Sequence, residues 1–398
     1  MKEQENPQIN NLHCWGDIPE EDYYKLQGGI KASKSFYTSP RGLKLFTRSW
    51  LPSSSTPPRG LICMVHGYGN DISWTFQATP IFLAQKGFAC FALDLEGHGQ
   101  SQGLRAFVPN VDSVVQDCLS FFNFVKQDPR FHGLPSFLYG ESMGGAICLL
   151  IHLANPKGFD GAILVAPMCK ISDIVRPKWP IPEVLSFVAK FLPTLPIVPT
   201  ADLMYKSVKV DKKKVVAEKN PMRYKGKPRL GTVLELLRVT DYLSQRLSEV
   251  SISFIVLHGS ADVVTDPNVS RVLYEEAKSK DKTIKIYDGM MHSLLFGETD
   301  ENVGIVRNDI LSCITKTLER HQQSCFTPQD NSTEREAQVA AGFLHWIAAA
   351  CKVVAAGFLY WIAAASSGAS TANAATQEAV VEDTVKAKWL GCCRILFV

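Results

Sequence analysis

The residues of this chain that could do chemistry centre on Ser142. It stands in Gly140-Glu141-Ser142-Met143-Gly144, between a short apolar run (Phe137, Leu138, Tyr139) and small and apolar residues that begin a helix. A G-x-S-x-G pattern in that setting puts the serine on a sharp strand-to-helix turn, because side chains at the flanking glycines would strike neighbouring backbone. A serine hydroxyl is a weak nucleophile. It needs a base to take its proton and a carboxylate to orient that base. On such a turn the partners follow in the order Ser, then Asp or Glu, then His, each after a later strand.

The nine histidines can be tested against that requirement. His13, His321 and His345 lie outside the run of strands, and His132 and His152 flank the wrong elements. His66, His98 and His258 each precede a glycine in a strand-end turn. His292 alone follows the last strand, in Asp288-Gly289-Met290-Met291-His292-Ser293. The acid should follow the strand before it, where Leu257-His258-Gly259-Ser260-Ala261-Asp262 places Asp262. Asp266, directly before Pro267, reads as a turn and helix-entry residue. Ser142, Asp262 and His292 are therefore the expected nucleophile, acid and base. The oxyanion of an acyl-transfer intermediate needs two fixed backbone N–H donors. Met143, at the start of the helix, should supply one, and Tyr68, in His66-Gly67-Tyr68-Gly69, the other, since glycines there admit close approach of substrate.

These residues need a scaffold that brings strand ends together. Near-continuous apolar runs at 61–65, 88–93, 137–139, 162–165, 252–257 and 284–287 suit parallel strands buried on both faces. Helix-length segments at 75–86, 111–126, 144–155, 268–279 and 303–321 alternate with them. The pattern predicts an α/β fold with a mostly parallel, doubly wound sheet, whose ligand site lies at the carboxyl ends of the strands. A hairpin at 35–38 and 43–50, turning at Ser39-Pro40-Arg41-Gly42, precedes this core. The core is expected at 34–167 and 251–322, after a polar arm at 1–33 with a short helix starting near Ile18-Pro19-Glu20.

Residues 168–250 break the rhythm with six prolines between Pro177 and Pro199 and helix-like pieces at 184–192 and 232–243. Inserted before the strand that carries the acid, the segment should form a helical cap over the catalytic face. Trp179, Ile181, Leu185, Phe187 and Phe191 are its candidate substrate-binding residues, suited to an acyl chain or an aromatic acid. The lysine-rich run at 209–214 reads as a solvated face.

With these motifs in order, the chain resembles a monoacylglycerol lipase-type α/β-hydrolase over about residues 37–320. The resemblance rests on His66-Gly67-Tyr68-Gly69, Gly97-His98-Gly99 after Asp94, Gly140-x-Ser142-x-Gly144-Gly145, His258-Gly259-x-x-Asp262 and the His292 loop, with Asn220-Pro221 in the cap. It is strongest to the plant branch that includes caffeoylshikimate esterases and lysophospholipase-like proteins. It implies the same triad and oxyanion amides, no cofactor, and hydrolysis of a small, amphipathic carboxylic ester: a monoacylglycerol first, with caffeoylshikimate or a lysophospholipid as alternatives. The other class to weigh is a ligand-binding protein of the same fold that has lost catalysis, and all three triad residues stand against it. His66 and Asp71 also match H-x-x-x-x-D, a spacing seen in some acyltransferases, but the glycines and the strand end account for it.

Composition narrows the partners. The chain has 398 residues, 46% hydrophobic and 20% charged, and a net charge of +3 that gives no reason to expect nucleic acid. Its eleven cysteines contain no C-x-x-C pair and no zinc-like spacing with histidine, so no metal site is expected and a reducing, cytoplasmic compartment is. Residues 323–398 form an Ala-rich extension in which a Gly-Phe-Leu-x-Trp-Ile-Ala-Ala-Ala stretch recurs after 15 residues. Each copy is shorter than the roughly 20 residues a bilayer span needs. A span across both would carry Lys352 near its centre at about 2.5–3.5 kcal/mol. Peripheral membrane association, a single span across both copies, or a catalytically dispensable extension are the readings of this tail.

Overall fold

A computed structural model describes residues 14–53, 57–170, 181–198 and 203–326 of the chain. The apolar runs become one sheet of eight strands. These are β1 (Lys31–Thr38), β2 (Lys44–Leu51), β3 (Leu61–Val65), β4 (Ala89–Leu93), β5 (Ser136–Glu141), β6 (Gly161–Val165), β7 (Phe254–Gly259) and β8 (Lys282–Tyr287). Their spatial order is β1-β2-β4-β3-β5-β6-β7-β8, with β1 and β2 antiparallel and the strands from β4 to β8 parallel.

Side chains along a strand alternate between faces, and here each face feeds its own core. From β3, Leu61, Cys63 and Val65 join a cluster with α3 (Val111–Lys126), α4 (Met143–Ala154), α8 (Leu230–Ser244) and α9 (Pro267–Glu276). Ile62 and Met64 point the other way, toward α1 (Glu20–Leu26), α2 (Ala78–Gln85) and α10 (Asp300–Phe326). Covering both faces explains why β3, β6 and β7 are buried throughout, whereas β8, at the sheet edge, keeps mostly half-buried positions.

The chain leaves β3 toward β4 on one side and returns to β5 on the other, which opens a crevice at the carboxyl ends of β3 and β5. Ser142 follows β5 directly.

Two differences from the sequence reading have physical causes. The described part of the arm is packed: Tyr24 and Ile30 are buried, and β1 begins at Lys31. The buried Arg48 guanidinium draws it in, donating to Gln77 Oε1 at 2.9 Å and pairing with Glu20 at 2.5 Å. Burial alone would raise the Glu20 carboxyl, but Arg48 and Lys34 hold it below its ordinary value. Between β6 and β7, the described residues form α5 (Ile181–Ala189), α6 (Leu203–Ser207), α7 (Asp211–Glu218) and α8. The sequence signalled α5 and α8; α6 and α7 are too short and polar to show periodicity.

Candidate active site

The sharp turn at Ser142 is real and strained. Ser142 adopts φ 53° and ψ −117°, a conformation L-residues avoid, at a cost of about 1–3 kcal/mol. Neighbouring strands hold it there: its N–H donates to Val165 O at 2.9 Å, and its carbonyl accepts from Met168 N at 3.0 Å. The glycines around it have no room for side chains. A Cβ on Gly140 would strike the Gly144 carbonyl, and one on Gly144 would strike the Val65 carbonyl. Helix α4 therefore presses its first turn against the end of β3, and Met143 N–H, at the first helical position, lies ahead of the intrahelical ladder.

The loop after β3 comes up beside Ser142. A Cβ on Gly67 would lie 3.4 Å from Ser142 Cβ, so the Tyr68 amide follows a residue already in contact with the serine. The Tyr68 hydroxyl is turned away, donating to Ala106 O at 2.9 Å. His66 braces this loop. Its Nδ1 sits 2.8 Å from Gly67 O, and its Nε2 accepts from Leu95 N at 3.0 Å. The N–H is thus on Nδ1, both ring nitrogens have backbone partners, and burial pushes the pKa down to about 4. Asp71 does not meet His66. It accepts from Ser73 N at 2.7 Å and from Asn220 Nδ2 at 2.6 Å. The H-x-x-x-x-D spacing is a structural brace.

The residues expected as acid and base lie in contact. Asp262 Oδ2 lies 2.6 Å from His292 Nδ1. Its other oxygen accepts from Val264 N at 2.7 Å and Thr265 N at 3.1 Å, an Asx turn that fixes the carboxylate. Burial would raise this carboxyl, but hydrogen bonds from His258 and His292 outweigh it and hold Asp262 well below the carboxylate range. Asp266 instead caps α9, accepting from Asn268 N at 2.9 Å.

Two further residues lie beside Asp262. His258 is fully buried, with Nε2 3.0 Å from Asp262 Oδ2 and Nδ1 2.7 Å from Ser270 Oγ. Thr265 Oγ1 donates to Asp262 Oδ2 at 2.9 Å and lies 3.2 Å from His292 Nδ1. The sequence held a signal for Thr265, since a threonine three residues after an Asp in a turn is placed to close on its carboxylate.

Among the described residues, neither Ser142 Oγ nor His292 Nε2 is in a hydrogen bond. Asp262 and His292, expected as acid and base, are in contact, while the Ser142 and His292 atoms expected to react are unengaged; catalytic hydrogen bonds often tighten only in the complex with substrate. Of the substrate-binding candidates, Trp179 and the Ile181 side chain lie outside the described residues. Leu185 is half-buried, while Phe187 and Phe191 are 62% and 71% exposed and pack edge-to-face at 5.5 Å. The structure thus leaves these two phenylalanines facing solvent instead of enclosing them.

Known proteins are similar to this chain in sequence and in fold. A family model described as serine aminopeptidase S33 matches residues 56–300. The caffeoylshikimate esterase of Arabidopsis thaliana is 40% identical over 308 residues, covering 77% of this chain and 92% of that protein. The human monoglyceride lipase is 32% identical over 257 residues, covering 64% of this chain and 81% of the lipase. In fold, the chain is similar to a soluble variant of the Saccharomyces cerevisiae monoglyceride lipase solved with a substrate analog, with a TM-score of 0.63 at 23% identity, over 72% of this chain and 96% of that one. The strained serine turn, the strand order and these relatives agree, and the chain belongs to the serine aminopeptidase S33 family of α/β-hydrolases, in its monoacylglycerol lipase-type branch.

Proposed function

We propose that the chain hydrolyses carboxylic esters through a covalent acyl-Ser142 intermediate, with Asp262 and His292 as acid and base. The observation that carries this reading is the 2.6 Å Asp262–His292 contact set at the same edge of the sheet as the strained Ser142 turn. His292 Nε2 accepts the serine proton as Oγ attacks the ester carbonyl. Asp262 holds the proton-bearing Nδ1 and stabilises the imidazolium. The Tyr68 and Met143 amides receive the oxyanion. His292 returns the proton to the departing alcohol and then activates the water that releases the acid.

A monoacylglycerol is the substrate class we favour. The half-buried Leu185 and the exposed Phe187 and Phe191, in and just after α5, offer a surface for an acyl chain. A phenolic ester is the second reading, favoured by the 40% identity to the caffeoylshikimate esterase. Cys14, Cys63, Cys90, Cys118, Cys148, Cys169 and Cys313 are free thiols, which supports a cytoplasmic setting. Among the described residues no helix is long and apolar enough to cross a membrane. The repeat in 323–398, where peripheral attachment would reside, lies outside them.

Comparing kcat/KM for a monoacylglycerol, a lysophosphatidylcholine and caffeoylshikimate on the purified chain tests the substrate class. We expect the monoacylglycerol to lead by at least about tenfold, the discrimination a few buried methylenes supply. A lead for caffeoylshikimate would move the assignment to the phenolic branch.

A further inference from the structure

The lysines read from sequence as a solvated face are fastened to the loop that carries His292. Lys209 Nζ donates to Gly289 O at 2.8 Å. Lys213 Nζ donates to Glu298 O and to Asp300 Oδ1, each at 2.7 Å. Backbone bonds run alongside: Ser293 N donates to Ser207 O at 2.9 Å, and Lys209 N and Val210 N both donate to Gly297 O at 3.0 Å. Val208 and Ala217 bury a small apolar cluster against Phe296. From within the loop, the fully buried Glu298 carboxylate accepts from Met291 N at 2.7 Å, one residue before His292.

The far end of the same segment is fastened to the oxyanion loop. The buried Asn220 donates to Asp71 Oδ2 at 2.6 Å, and Tyr224 N donates to Gly69 O at 2.9 Å. Between the two anchorages, Trp74 Nε1 donates to Val216 O at 2.9 Å. Helix α7 spans the interval between them. The base and one oxyanion donor thus sit on two separate loops, and one short segment of the β6–β7 insertion bonds to both.

We propose that residues 207–224 form a strap that sets the His292 loop against the oxyanion loop, with Lys209 and Lys213 as positioning residues. The proposal rests on the hydrolase reading above. The tetrahedral intermediate must meet the base and the oxyanion amides at once. The strap fixes their separation through backbone bonds and charge-assisted lysine bonds that a displaced loop would lose. Neither lysine touches substrate; both act through the loop that holds the imidazole.

The test is the full-length double variant Lys209→Met/Lys213→Met, which keeps the aliphatic stems and removes the ammonium groups. Two readouts go together: kcat and KM on p-nitrophenyl butyrate, and the downfield proton resonance of the His292 Nδ1–H···Asp262 hydrogen bond. We expect kcat per fluorophosphonate-titrated site to fall on the order of 10- to 100-fold, as for a catalytic group displaced by about 1 Å. KM should stay within about twofold and the resonance should broaden or vanish, while Lys209→Arg/Lys213→Arg restores both. Unchanged kcat with an unchanged resonance would overturn the strap, as would a loss fully accounted for by a smaller folded fraction. Should the double variant fold poorly, Lys209→Met alone, at an exposed position, carries the same readouts. If the wild-type chain turned over no ester, the hydrolase reading would fall while the resonance still decided the strap.

Discussion

Two loops at the carboxyl edge of the sheet each carry a histidine, and they hold it in opposite ways. In the loop after β3, backbone groups claim both ring nitrogens of His66, and burial pushes its pKa down to about 4. In the loop after β8, His292 gives Nδ1 to a carboxylate 2.6 Å away and keeps its side chain 14% exposed. A ring held by peptide groups is a brace, because protonating it would break a bond it accepts. A ring held at one nitrogen by a carboxylate is a base, because the charge it gains has a partner. Spacing to an aspartate does not distinguish the two cases; the hydrogen-bond partners do.

The largest expected effect breaks the comparison directly. His292→Ala should lower ester hydrolysis by on the order of 10⁴-fold or more and cost no more than about 1–2 kcal/mol of stability, because Asp262 keeps His258 and Thr265 as partners. His66→Ala should do the reverse, costing about 2–4 kcal/mol by orphaning the Leu95 amide and opening a cavity, with a far smaller fall in rate per folded molecule. Parallel kinetics and urea unfolding of the two variants check this. A His66 variant that lost the chemistry while staying fully stable would move the base to the β3 loop.

A smaller effect lies in the pH dependence of stability. His66 and its neighbour His98 are both buried, which lowers their pKa values to about 4 and about 3 from 6.5. The folded state therefore binds fewer protons than the unfolded chain below pH 6.5. Their contribution is fully present above that value and is lost as pH falls toward 4, on the order of 3 kcal/mol for His66 alone. Urea unfolding between about pH 7 and about pH 4.5 should show this fall, with a shallower slope in His66→Ala. Equal slopes in the two proteins would mean that His66 is not buried neutral.

The sheet was readable from the sequence because a strand buried on both faces leaves an uninterrupted apolar run, as at Leu61–Val65 and Phe254–Gly259. The Asp262–His292 contact was readable because strand order fixes which two loops lie side by side. What escaped was held by contacts with no sequence period. Helix α7 reads as a charged run, and only the fold shows Lys209 and Lys213 turned onto the carbonyls of Gly289 and Glu298. His258 looked like a strand-end residue, and its contact with Asp262 depends on the turn that folds the carboxylate back over it. Hydrophobicity marks Phe187 and Phe191 as substrate-binding candidates but does not say which way they face, and both are exposed.

The central claim is that Ser142 is a nucleophile activated through His292, and covalent labelling tests it most directly. Purified wild-type chain, Ser142→Ala and His292→Ala are treated with a fluorophosphonate probe, and the adduct is located by mass spectrometry of the digested protein. The account predicts one adduct on Ser142 in the wild-type chain, none in Ser142→Ala, and labelling of His292→Ala slowed by on the order of 10³-fold or more. Undiminished labelling of Ser142→Ala would contradict it.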